Sequence, residues 1–174
     1  CQGDLFVARA WQYALEERAA DSSSAAAQLA HAEAALQEAL VRQARRLPWS
    51  GDDLFLEAST HFELAHQAAP ERREPLEGMV LALWYQGRFS EAAHAQAQVV
   101  TLHPEDIQAQ RSLELYRLRA MLEAHPDDRL AWRKLALHHE RDDDPGSALE
   151  AWRHVLILAP GDAEALERLR SLDP

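Results

Sequence analysis

Two pairs of side chains, Glu63-x-x-His66 and Glu91-x-x-His94, have the types and spacing that could do chemistry in this 174-residue chain. A carboxylate and an imidazole three residues apart on a helix share one face. Two such pairs on neighbouring helices supply half of the ligands of a dinuclear carboxylate-metal centre. In such a centre they point inward, yet Phe62 and Ala65 on one segment, and Ala92 and Val99 on the other, already hold the positions an inward stripe requires. The two pairs are therefore expected to face solvent or flank the core. Metal binding through Glu63, His66, Glu91 and His94 stays as the alternative reading, and no metal or other cofactor is expected. Among the nine histidines, His138 and His139 are adjacent and diverge by about 100° on a helix. His61 and His66 likewise lie on different faces, so neither pair chelates well. His139 falls on an apolar stripe and reads as a packed core residue. Asp142-Asp143-Asp144 lacks the alternate spacing and central glycine of a calcium loop and suits turn and capping chemistry.

No nucleophile elbow, phosphate-binding glycine loop or zinc-helix motif occurs, and the six glycines are scattered, so the chain is not expected to be an enzyme. Its net charge of −11 repels phosphate backbones, so no nucleic-acid partner is expected and another protein is the expected one. A single cysteine excludes an intramolecular disulfide and a cysteine zinc cluster. That cysteine is residue 1, and Cys1-Gln2-Gly3-Asp4 resembles the mature end of a bacterial lipoprotein, in which the first cysteine carries lipid on its sulfur and α-amine. The resemblance implies lipidation at Cys1, a protein anchored to a membrane without a transmembrane helix, and a periplasm-facing place in the bacterial envelope. Gln2 where an inner-membrane sorting Asp would stand favours the outer membrane over the inner.

These side chains must be positioned by helices. Six Val, two Ile and two Thr leave few β-formers against abundant Ala, Leu, Glu, Gln and Arg, so an all-α fold is expected. Pro70, Pro104, Pro126 and Pro160 are spaced by 34, 22 and 34 residues, and 34 is the length of a helix-turn-helix repeat. Equivalent positions before three of these prolines agree: Ala58, Phe62 and Ala65; Ala92, Gln96 and Val99; Ala148, Trp152 and Val155. Small, large and small at helical spacing lets a second helix nest against a first. The first helices carry matching stripes, Leu76, Met79, Val80 and Leu83 in one and Trp132, Leu135, Ala136 and His139 in the other. Gly87 can close one helix in the left-handed conformation, Asp143 stands at the equivalent place, and Asp144-Pro145 supplies a cap and a first-turn proline.

On these residues the chain resembles the tetratricopeptide repeat (TPR) family. The resemblance implies a right-handed α-solenoid of antiparallel helix pairs, with about nine helices in all. Residues 73–106 and 129–162 match the family pattern without a gap. Residues 22–70 form a divergent unit with an overlong first helix from about Ser24 to Arg46, an enlarged turn at Leu47–Gly51 and a possible capping box from Ser50 to Asp53. An unpaired helix is expected over 105–124 and a capping helix over 162–172, so the repeat region covers 22–174. Residues 1–21 hold the lipid-attachment site and an N-terminal helix from Asp4 to Ala20.

In this family the stripe beside the packing stripe of each first helix faces a concave groove. Here that stripe is Glu77, Leu81, Trp84 and Tyr85 in one unit and Arg133, Leu137, Glu140 and Arg141 in the other. An aromatic pair and an arginine-bearing wall suit a peptide or helical segment of another protein. The functional expectation is a non-enzymatic scaffold that assembles or stabilises a multiprotein complex, of the secretion or pilus type or the cytochrome-maturation type. A soluble peptide-binding regulatory adaptor is the other reading of the same groove. Chaperone-tail clamps of this family place Lys and Asn where Glu77, Leu81 and Leu137 stand, which argues against that use.

Overall fold

A computed structural model describes residues 24–45 and 52–172, and these form eight helices, with no strand among the described residues. They are α1 (Ala25–Ala44), α2 (Asp52–Ala68), α3 (Glu74–Tyr85), α4 (Phe89–Leu102), α5 (Ile107–Ala124), α6 (Arg129–Arg141), α7 (Pro145–Leu158) and α8 (Ala163–Leu172). The fold is all-α and built from successive antiparallel helix pairs. The ninth helix expected, over residues 4–20, lies outside the described residues, as do Cys1, the enlarged turn at 47–51 and the box at Ser50.

Aspartates start four of the helices, α5 to α8. Asp106 accepts from the Ala109 amide at 3.0 Å, Asp128 from Leu130 and Ala131 at 2.9 and 3.0 Å, Asp144 from Ser147 at 3.1 Å and Asp162 from Ala165 at 3.1 Å. Each carboxylate satisfies an amide that the first helical turn leaves without a partner and lies at the positive end of the helix dipole. Three of the four stand in Pro-x-Asp, at Pro104, Pro126 and Pro160, where the proline ends one helix and the aspartate opens the next. This is why α5 begins at Ile107 and not at Glu105. At the turn within each clear repeat, Gly87 (φ 72°) and Asp143 (φ 55°) adopt the left-handed conformation. The following amides, Arg88 and Asp144, donate back to the carbonyls of Leu83 and His139 at 3.0 and 2.9 Å, which closes α3 and α6 in the same way.

The chain divides into two compact units, with the boundary inside α5 after Gln110. In the first, Ala58 and Phe62 of α2 meet Ala32, Ala35 and Ala39 of α1 and Ala82 of α3 in one buried cluster. Leu76 and Val99 pack with Ala109 in another, where the Gln96 side chain donates to the Ala109 carbonyl at 2.9 Å. Gly78 permits α3 to approach α2 closely: a Cβ there would stand 2.2 Å from the Phe62 ring. In the second unit, fully buried Trp152 is surrounded by Leu118 and Leu122 of α5, Leu135 and Ala136 of α6, and Ala165 of α8. The small-large-small triplets at 58/62/65, 92/96/99 and 148/152/155 are all buried.

Candidate functional site

In the first unit, the α3 stripe leads to an aromatic end. Tyr85 remains 38% exposed with its ring stacked on Phe55 at 5.0 Å, and half-buried Trp84 meets Phe89 edge-on at 4.9 Å. Both rings are therefore held in place while part of their surface stays open, the condition under which an aromatic side chain anchors a partner at low entropic cost. Half-buried Leu81 packs against the α1–α2 core, and exposed Glu77 pairs with Arg73 at 2.6 Å. Arg73 also reaches Asp106 at 2.6 Å, and these two carboxylates hold its guanidinium above the ordinary arginine range.

The equivalent stripe in the second unit makes internal contacts. Glu140 accepts from the indole nitrogen of Trp152 at 2.6 Å and from Arg168 at 2.9 Å. Arg133 pairs with Glu164 of α8, and Arg141 with Glu114 of α5 at 2.7 Å. Leu137 is left 38% exposed. Hence three of the four side chains expected along this stripe tie α6 to α5, α7 and α8.

His138 and His139 are both buried. Only His139 was expected inside; His138 is drawn in as well because its Nε2 binds the Arg111 carbonyl at 2.9 Å, a contact between distant parts of the chain. Burial and the nearby Arg119 push the His139 imidazole below its ordinary value of 6.5, against the opposing pull of Asp144. His61 is lowered in the same direction by burial and by His31, and its Nδ1 meets the Gln28 side-chain oxygen at 2.6 Å.

Glu63, Glu91 and His94 are exposed and His66 is half-buried at the edge of the core. All four line one groove of about 670 Å³ between α2 and α4, with Met79 and Leu83 of α3 also lining it. Yet no group of three or more His, Cys, Asp or Glu close enough to hold a metal occurs among the described residues, so the helices bring the pairs to one groove without assembling a ligand set. Glu91 is engaged by Arg88 at 2.7 Å, His94 by Gln98 at 3.3 Å, and Glu63 by the Gln67 amide at 3.4 Å. No described helix is long and apolar enough to cross a membrane.

Helix pairs joined by a left-handed turn and nested through small residues define a TPR-type helical repeat. The structure is similar to that of YrrB, described as a TPR protein with an unusual peptide-binding site, at 17% identity and a TM-score of 0.54, over 97% of this chain and 86% of YrrB. Two MamA structures also align, a MamA RS-1 ArsTM double mutant and MamA 41-end from Desulfovibrio magneticus RS-1. They are 21% and 22% identical, with 82% of this chain and 83% and 84% of theirs covered, each at a TM-score of 0.38. No protein-family model and no curated relative matches the chain.

Proposed function

We propose that this protein is a non-enzymatic scaffold that holds a polypeptide segment of another protein against the α3 stripe of Glu77, Leu81, Trp84 and Tyr85. The observation that carries the reading is the partly open, ring-buttressed pair Trp84 and Tyr85. Aromatic anchors fixed before binding lose little freedom when a partner covers them. The peptide-binding site named for YrrB, which has the same type of fold, supports the same class of partner. In the second unit, Arg133, Glu140 and Arg141 already serve internal pairs, so Leu137 is the member of that stripe left to contribute contact area.

Lipid on Cys1 would tether the scaffold to a bacterial envelope membrane, where it would stabilise a multiprotein complex of the secretion, pilus or cytochrome-maturation type. This part of the proposal is motivated by the sequence around Cys1, outside the described residues. Affinity purification from native membranes with the full chain and with the Trp84→Ala/Tyr85→Ala double variant tests the binding face. The variant is expected to lose the co-purified partner while melting normally; equal recovery with both proteins removes the α3 stripe from the reading. Intact-mass analysis of membrane-extracted protein tests the tether, which an unmodified Cys1 would overturn.

A further inference from the structure

The groove between α2 and α4 is a second surface, on another side of α3 from Trp84 and Tyr85. Its α2 wall runs from Leu56 to Gln67, about three helical turns or roughly 16 Å at 1.5 Å per residue, and its α4 wall carries Glu91, His94 and Gln98. One end is apolar. Leu56 is 52% exposed there, with Leu83 and Met79 lining the same groove. The charges along the groove do not cancel. Glu91 is neutralised by Arg88, whereas Glu63 receives only the Gln67 amide, and no ion pair to it exists among the described residues. Leu56 and Glu63 are seven residues apart on one face of α2, about two turns.

We infer that this groove docks an amphipathic helical segment of a partner protein that presents an apolar side chain to Leu56 and a Lys or Arg two turns away to Glu63. Helices bind in grooves through anchors at such spacings. Charge sets the sign of the partner: a groove with an uncompensated carboxylate, on a chain of net charge −11, attracts a basic segment and repels an acidic one. Two further side chains favour occupancy. His66 Nδ1 and Gln98 Oε1 line this groove shut away from water and without a hydrogen-bond partner. Turning either outward onto a bound chain gives it the partner that the empty groove denies it.

The inference goes beyond the α3 stripe while sharing its premise that the protein binds polypeptides, so the test separates the two surfaces. Two fluorescein-labelled helical peptides of about 14 residues serve as probes, one with Leu and Lys seven apart on one face, the other identical but with Glu for Lys. Anisotropy titrations against the full-length protein are expected to show the Lys peptide binding at least about ten-fold more tightly than the Glu peptide. Glu63→Gln and Leu56→Ala, both at exposed positions, are expected each to weaken the Lys peptide by about five-fold or more with unchanged melting. Glu123→Gln, at an exposed carboxylate of α5 in the second unit and on neither surface, should leave it unchanged. Absence of Lys-peptide binding overturns the inference. So does equal weakening by Glu123→Gln, which would signify diffuse charge attraction. If Trp84→Ala/Tyr85→Ala abolishes binding while Glu63→Gln does not, the groove assignment fails and the α3 stripe stands.

Discussion

Two glycines of this chain have opposite reasons for being glycine. At Gly78 the limit is space: a methyl group would intrude on the Phe62 ring of α2. Gly78→Ala is expected to destabilise the protein by about 1–3 kcal/mol through overpacking, seen as a lower urea midpoint by circular dichroism. At Gly87 the space is open and the limit is the backbone, whose φ of 72° a Cβ disfavours. Gly87→Ala should cost about 1 kcal/mol, while Gly161→Ala, equally open and without a left-handed φ, should be neutral or slightly stabilising. Equal effects of these two substitutions would refute the conformational account. Asp143 takes the left-handed position in the later repeat because a short polar side chain tolerates it.

Among the elements, carboxylates start α5 to α8 and tie α6 to its neighbours. Asp128→Ala removes the acceptor of two first-turn amides of α6 and is expected to cost about 1 kcal/mol in chemical denaturation. Glu140 acts as a clasp, joining α6 to α7 through Trp152 and to α8 through Arg168. Trp152→Phe retains most of the ring but removes the indole donor from a carboxylate, and a loss of about 2 kcal/mol is expected. A variant as stable as the parent would show that the clasp contributes little. The Pro-x-Asp signature explains these boundaries better than periodicity alone, since it marks where one helix must stop and supplies the cap of the next.

For the molecule as a whole, the titrating groups define a window of pH. The imidazoles of His61 and His139 lie below 6.5 in the folded chain, so below that value the unfolded chain binds more protons than the folded one. Stability contributed by the neutral rings is therefore present at pH 7.5 and lost as the pH falls through 6.5 toward the lower folded values. Thermal midpoints measured at pH 7.5 and 5.5 are expected to fall, and replacing both histidines with Gln should flatten that dependence. An unchanged midpoint in the parent protein would contradict it. Asp106 and Asp144, held below the ordinary carboxylate range first of all by hydrogen bonds, add a second loss at more acid pH. Two windows should thus be separable in one titration.

What could be read from the chain alone was whatever depends on neighbours in sequence. Helix identity, the 34-residue spacing of prolines, the buried triplets and the equivalence of Gly87 with Asp143 all follow from propensity, periodicity and turn chemistry, which act over a few residues. Contacts between helices are another matter. That Glu140 would hold an indole proton, that His138 would find the Arg111 carbonyl, and that Glu63, His66, Glu91 and His94 would share one groove without forming a metal site depend on distances between helices. Those distances are decided by packing, by how closely Gly78 lets α3 meet Phe62, and no spacing along a single strand of residues encodes them in readable form.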